Sequence, residues 1–385
     1  MRKYTLASVS SALALLTLIF FTLSGTAFAA TSAPAAPTSN SYKHACAAAA
    51  AGYASCLAII NRSVNPNANP TGGNPPYAPA NLHSAYNLPT TASGTPTVAI
   101  VDAYSDPNLA SDLATYRSQW GLPACTTGNG CLQIVNQSGG SSLPSPNQGW
   151  GVEESLDVDM VSAICQNCHI LVVEANSASL ANLGKSVNEA AKLGAIAISN
   201  SYGTNEFSGE STYCGNYYHH NYIAVTASTG DSGPGVSFPA DCPYVVGVGG
   251  TTLNPNGTET AWNTSSTEGA GGGCSLYIAK PGWESSSVTG CSNRATGDVS
   301  ADADPNTGVY VYDTYGYGGW LEVGGTSESS PIIASVYALA GNVSTIKNPP
   351  SYPWKHYSSG CLFKVGGVRY AYQTGLGSPK GTACF

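Results

Sequence analysis

Short, dense apolar runs alternate with longer amphipathic stretches from about residue 95 onward. TPTVAIVDAY (95–104), HILVVEA (169–175), AIAISNSYG (195–203) and YIAVTAST (222–229) are apolar on both alternating faces. That reads as strands buried on two sides, and the first of them ends at Asp102. Between them, 108–121 (NLASDLATYRSQWG), 151–164 (GVEESLDVDMVSAI) and 179–194 (SLANLGKSVNEAAKLG) carry helical spacing. Gly121 follows the first as a stop signal. Strands alternating with helices predict an α/β fold, a central and mostly parallel sheet with helices on both faces.

The flanks read differently. Residues 1–29 show a short basic start, an apolar run and an Ala27-Phe28-Ala29 exit, the form of a secretory signal peptide. Residues 30–76 are a leader and a small N-terminal segment of unassigned role. Within them the alanine-rich 42–66 suggests helix, and 67–80 (PNANPTGGNPPYAP), which runs into the next segment, should be irregular. Residues 77–385 read as one domain. No later run is long and apolar enough for a membrane span.

Lys, Arg, Asp and Glu are only 9% of the chain, against about 25% in ordinary domains. Few carboxylates need protonating to unfold such a chain, so low charge suits acid. The net charge of -8, or -10 once Arg2 and Lys3 leave with the signal, argues against a nucleic-acid partner. Nothing in the pattern calls for an oligomer, so a monomer is expected. All twelve cysteines follow the signal, which suggests an exported protein with up to six disulfides. Pairing between sequence neighbours is the working expectation, foremost Cys125–Cys131 and Cys214–Cys242. Cys46 and Cys56 can pair only if the chain bends, since ten residues of straight helix would hold them about 15 Å apart. Cys165-Gln166-Asn167-Cys168-His169 fits a haem-attachment spacing, but a small disulfide explains it better.

Three stretches could carry chemistry. In GGTSESSPIIASVYALAG (324–341), Ser327 follows two glycines and precedes an apolar run led by Pro331; it is either a helix cap or a nucleophile near a helix start. In VEESLDVDMVSAI, Glu153 and Asp157 are four apart and share a helix face, with Glu154 and Asp159 expected to point elsewhere into solvent. Two like charges so placed should raise one carboxyl's pKa. In STGDSGPGVSFPA, Asp231 follows a strand among glycines, where open α/β sheets bind ligands. No histidine opens a helix between Asp102 and Ser327, where a His-dependent subtilase would need one; GVEESLD stands there instead.

These motifs, E-E-S-L-D, T-G-D-S-G and G-T-S-E-S-S-P in that order, resemble those of the sedolisin family of serine-carboxyl peptidases, in particular its bacterial secreted branch. The resemblance covers about 77–385. It implies a subtilisin-like fold and a secreted endopeptidase acting on protein or peptide substrates at acid pH. Ser327 would attack, Glu153 would be the general base, Asp157 would orient it, and Asp231 would be the acid at the oxyanion site. A catalytically silent, extracellular binding relative is the alternative, and a His-dependent subtilase using Asp102 a weaker one. Family members also bind Ca²⁺ near the C-terminus; here His356 and Ala371 replace ligand aspartates, so no cofactor is expected, and Cys361–Cys384 would close the region instead. The stretch before Tyr77 is too short for the family's large propeptide.

Overall fold

The computed structural model describes residues 42–385 apart from 66, 68 and 74. The signal peptide and the leader as far as Ser41 lie outside the described residues. The chain opens with three short strands, β1 (Tyr42–His44), β2 (Ser55–Cys56) and β3 (Ile59–Asn61), then helix α1 (Pro79–Tyr86). Next come β4 (Thr97–Ala103), α2 (Leu109–Gln119), β5 (Leu132–Asn136), α3 (Gln148–Ile164), β6 (His169–Ala175) and α4 (Leu180–Lys192). They are followed by β7 (Ala197–Asn200), β8 (Tyr202–Asn205), α5 (Glu210–Tyr213), β9 (Ala224–Ser228), β10 (Ser237–Phe238), β11 (Val246–Leu253) and β12 (Glu259–Ala261). The last part holds β13 (Asn263–Ser265), β14 (Glu268–Gly269), β15 (Gly273–Ala279), α6 (Ser286–Thr289), β16 (Asn293–Thr296), β17 (Val299–Asp302), β18 (Val309–Asp313) and β19 (Gly319–Gly324). Helices α7 (Thr326–Ala340) and α8 (Ser351–His356) and the pair β20 (Leu362–Phe363) and β21 (Ser378–Pro379) complete it.

The central sheet runs β12-β11-β9-β7-β4-β6-β5, with β17 also beside β11. Every pairing is parallel except that of β12 with β11. Side chains alternate between two cores. Val98 and Ile100 of β4 join α1, α2, α3 and α7, while Ala99, Val101 and Ala103 join α4 on the other face. Each such Val or Ile, fully withdrawn from water, stabilises the fold by about 2 kcal/mol. The predicted α/β architecture is therefore the one observed.

The helix expected in 42–66 does not form. Cys46 and Cys56 are bonded, with Cα atoms 5.5 Å apart, a closure that a straight helix cannot make. The backbone finds its partners elsewhere: β2 lies antiparallel on β8, and β3 on β19. Cross-link and strand pairing together override the helix propensity of the alanines. All six disulfides join sequence neighbours, the others being Cys125–Cys131, Cys165–Cys168, Cys214–Cys242, Cys274–Cys291 and Cys361–Cys384. The Cys165–Cys168 bond disposes of the haem spacing.

Candidate active site

Asn147 caps α3, its side chain accepting from Gly149 N and Trp150 N at 3.0 and 3.1 Å. One turn in, Glu153 and Asp157 lie on one side of the helix, and both are completely buried. Glu154 and Asp159, expected in solvent, are buried as well: Glu154 Oε2 accepts from Asp106 N at 3.1 Å and Asp159 Oδ2 from Tyr312 N at 3.1 Å. The helix is enclosed by α1, α2, α7 and β18, so it has no wet face.

Ser327 sits in the first turn of α7. The helix starts at Thr326, five residues before the proline that sequence took as its lead-in. A proline has no N–H, so the carbonyl four residues earlier, that of Ser327, lacks its helical donor. Ser201 fills the gap: its hydroxyl lies 3.3 Å from Ser327 O and 2.7 and 2.9 Å from the oxygens of Asp157. The strand pattern breaks at this serine, between β7 and β8. Its backbone carbonyl accepts from Ser327 Oγ at 3.1 Å. The same hydroxyl is close enough to Glu153 that its hydrogen bonding holds that carboxyl's pKa down. A hydroxyl has one hydrogen, so Ser201 O and Glu153 share it in turn.

Glu153 Oε2 accepts from Leu57 N at 3.0 Å and Ala58 N at 2.8 Å, while Oε1 has no donor. Burial pushes Glu153 well above the carboxylate range, and Asp102 adds to the push. Asp157 is raised likewise by burial, then by Asp102 and Glu153. Asp102, fully buried with both oxygens unpartnered, is raised by burial to about 8. Three neighbouring carboxyls in a dry site favour holding protons over holding charge.

Asp231 follows β9. Oδ1 accepts from the backbone N and the hydroxyl of Thr326, and Oδ2 is buried without a partner. Burial lifts this carboxyl to about 7. Gly325 makes the approach possible. Its φ is +98°, and a Cβ there would lie 2.9 Å from Asp231 Oδ2 and 2.0 Å from Leu57 O. No side chain fits.

The structure therefore brings Ser327, Glu153, Asp157 and Asp231 into one neighbourhood. Sequence reading missed Ser201, Thr326 and the backbone of Leu57 and Ala58; Ser201 was hidden because 195–203 reads as one uninterrupted strand, which the structure breaks there into β7 and β8. Among the described residues no histidine hydrogen-bonds Ser327. His83 is tied to backbone carbonyls of Leu88 and Ala163, and His219 stacks on Tyr244. A cleft of about 470 Å³ runs past the site, lined by Ser55, Leu57, Gly203, Asn205, Asp231 and Ser237 among others.

At the C-terminal positions, the His356 ring lies against Tyr352 with centroids 4.1 Å apart, and Ala371 exchanges backbone bonds with Gly375. Neither offers a carboxylate oxygen, so these residues do not fit Ca²⁺. Glu206, Glu210 and Asp241 elsewhere bring carboxylate oxygens within 4.8 Å of one another.

No family profile matches the chain. Over 302 residues, 69% of its length, it is 28% identical to sedolisin of Pseudomonas sp. (strain 101) and spans 50% of that relative. It is 38% identical over 120 residues to xanthomonalisin of Xanthomonas sp. (strain T-22), spanning 14% of it, and 34% over 137 residues to kumamolisin of Bacillus sp. (strain MN-32), spanning 24%. The chain thus covers half the length of these curated relatives or less. A solved Pseudomonas sedolisin, a serine-carboxyl proteinase complexed with pseudo-iodotyrostatin, superposes with a TM-score of 0.66 at 27% identity, over 79% of this chain and 95% of that one. Sphericase, at 17% identity and TM-score 0.51, shares the fold alone. In sequence and in fold, over most of its length, the chain is similar to the sedolisin family of serine-carboxyl peptidases.

Proposed function

We propose that the chain is a secreted serine-carboxyl endopeptidase that hydrolyses peptide bonds in proteins or peptides at acid pH, through an acyl-enzyme. The observation that carries this is the Ser327 hydroxyl, held beside Glu153 and bonded to Ser201 O. Ser327 Oγ attacks the carbonyl carbon, and its proton passes to Glu153, the ionised member of the carboxyl cluster in the reacting form, while Asp102, Asp157 and Asp231 hold their protons. Asp157, with Ser201 as its donor, orients and supports Glu153. Asp231, neutral in acid, donates from Oδ2 to the oxyanion that forms beside Gly325. Glu153 returns the proton to the leaving amine, and water then reverses the sequence to release the acid. Six disulfides and the likeness to sedolisin support secretion. Among the described residues no helix is long and apolar enough to cross a membrane.

We further propose that no metal takes part, since the C-terminal residues do not fit calcium. Digestion of casein or denatured haemoglobin at pH 4, with Ser327→Ala alongside, tests the reading. Equal inactivity of both proteins under every acid condition would favour the silent binding relative instead.

A further inference from the structure

Glu206, Glu210 and Asp241 stand apart from the catalytic carboxyls, and each comes from a different element. Glu206 directly follows β8, Glu210 opens α5, and Asp241 lies just beyond β10. β10 runs antiparallel to β8, with Ser237 opposite Asn205 and Phe238 opposite Thr204, which brings Glu206 and Asp241 together. The Cys214–Cys242 bond ties the residue after Asp241 to the residue after α5. β15 closes the group. The Ser275 hydroxyl lies 2.9 Å from Glu206 Oε2 and 3.3 Å from Asp241 Oδ2, and Leu276 N donates to Glu206 Oε2 at 2.8 Å.

The donors run out before the oxygens do. Phe207 N serves Glu210 Oε2 at 2.8 Å. Glu210 and Asp241 are completely buried, yet no N–H or hydroxyl among the described residues reaches Glu210 Oε1 or Asp241 Oδ1. The two carboxyls are in hydrogen-bond contact with each other instead. Carboxylates in contact repel unless something positive lies between them. Arg294 acts on Asp241, but its guanidinium is committed to Glu284 and Asp298. One shared proton would settle Glu210 and Asp241 and leave Glu206 as it is. A cation serves all three. One oxygen from each residue lies within 4.8 Å of the other two. Oxygens on opposite sides of Ca²⁺ stand about 5 Å apart, and on opposite sides of Mg²⁺ about 4 Å. Carboxylate oxygens are hard ligands, suited to Ca²⁺ rather than to zinc or copper. Glu206 is only half-buried, so an ion and its remaining waters have a way in.

We infer that Glu206, Glu210 and Asp241 bind one hard divalent cation of the Ca²⁺ class from the medium, and that the ion braces a wall of the cleft. β8 and β10 supply Gly203, Asn205 and Ser237 to that wall. The ion pins the ends of both strands to α5 and to β15. It takes no part in the reaction, and the inference stands whether or not the chain is a peptidase. Three carboxylates completed by water make a site of the weaker, extracellular kind, with Kd about 10⁻⁴–10⁻³ M, so dialysis removes the ion.

The test uses the full-length secreted protein, freed of metal with chelator, dialysed at pH 7 and titrated with calcium chloride. Heat of binding, melting temperature and amide hydrogen exchange are followed together. Wild type should bind one Ca²⁺ per chain, and at about ten times Kd its melting temperature should rise by about 2 °C. Exchange should slow at 203–210, 237–242 and 275–278. Mg²⁺ at the same concentration should raise the melting temperature less than half as much, and an equal rise would overturn the assignment to the Ca²⁺ class. Glu206→Gln, at the half-buried position, should weaken binding at least tenfold, and Glu210→Gln/Asp241→Asn should abolish it. No saturable binding by wild type up to about 10 mM calcium would show that protons alone hold these carboxyls together, and would overturn the site. Unchanged affinity in Glu206→Gln, or slowed exchange confined to other segments, would overturn it as well.

Discussion

Asp231 and Thr326 are joined by two hydrogen bonds that use only one oxygen of the carboxyl: Oδ1 accepts from the Thr326 amide at 2.8 Å and from its hydroxyl at 2.7 Å. With Oδ1 saturated by donors, any proton on Asp231 resides on Oδ2, the oxygen turned toward Gly325. A threonine beside the nucleophile thereby decides which way the acid points.

That orientation predicts different outcomes for two substitutions. Asp231→Ala removes the oxyanion donor and should cut kcat by about 10²–10³-fold. Asp231→Asn can still present an N–H, so it should keep more activity than Asp231→Ala. It should also lose the alkaline limb that deprotonation of Asp231 near pH 7 gives the wild-type profile. Coinciding pH–rate profiles for Asp231→Asn and wild type would remove the acid from this role.

On the other side of Ser327, Glu153→Gln leaves the shape of the site but no base. Activity should fall by about 10²–10⁴-fold with folding preserved. Ser201→Ala keeps the carbonyl that holds the nucleophile and deletes the hydroxyl that serves Asp157. A hydrogen bond between neutral groups is worth about 0.5–1.5 kcal/mol, so kcat should fall about 2- to 10-fold with KM little changed. Steady-state kinetics at pH 4 separate the two effects.

The strands of the central sheet were legible because their apolar residues run without interruption, and α4 because Leu180, Leu183, Val187 and Ala190 repeat at helical spacing. Glu153 and Asp157 were legible as a pair because four residues make one turn. What could not be read was contributed by backbone. Leu57 and Ala58 enter the site through their N–H groups and a carbonyl, which every residue type except proline carries in full, and the surrounding alanines argued for a helix. The burial of Glu154 and Asp159 was hidden for a related reason. Their partners, Asp106 N and Tyr312 N, come from elements distant in sequence.

Calcium provides an independent check on the C-terminal region. With His356 and Ala371 where the resemblance implies ligand aspartates, chelator should leave the melting temperature at pH 4 unchanged, and metal analysis should return less than one calcium per chain. Any calcium that does bind near neutral pH should require the carboxyls of Glu206, Glu210 and Asp241. The double variant Glu210→Gln/Asp241→Asn would then abolish it, whereas His356→Ala would not.

The buried carboxyls also set how stability varies with pH. Asp231 titrates near 7 and Asp102 near 8 in the folded chain, both lifted by burial from about 4. Between the unfolded and folded values the native state therefore holds protons that the unfolded chain has released. Stability from these groups is complete below about pH 4 and is lost as pH rises toward 7 and 8. Within that window each such carboxyl removes about 1.4 kcal/mol per pH unit. Ordinary domains lose stability in acid because paired carboxylates must be protonated; here the protonated form is the one the interior accommodates. Scanning calorimetry should show the melting temperature falling steadily from pH 4 to pH 8, and Asp102→Asn, which cannot ionise, should flatten the fall. A melting temperature that instead rises over this range would mean that these carboxyls are charged and paired in the native protein, and the neutral Asp231 donor would lose its basis.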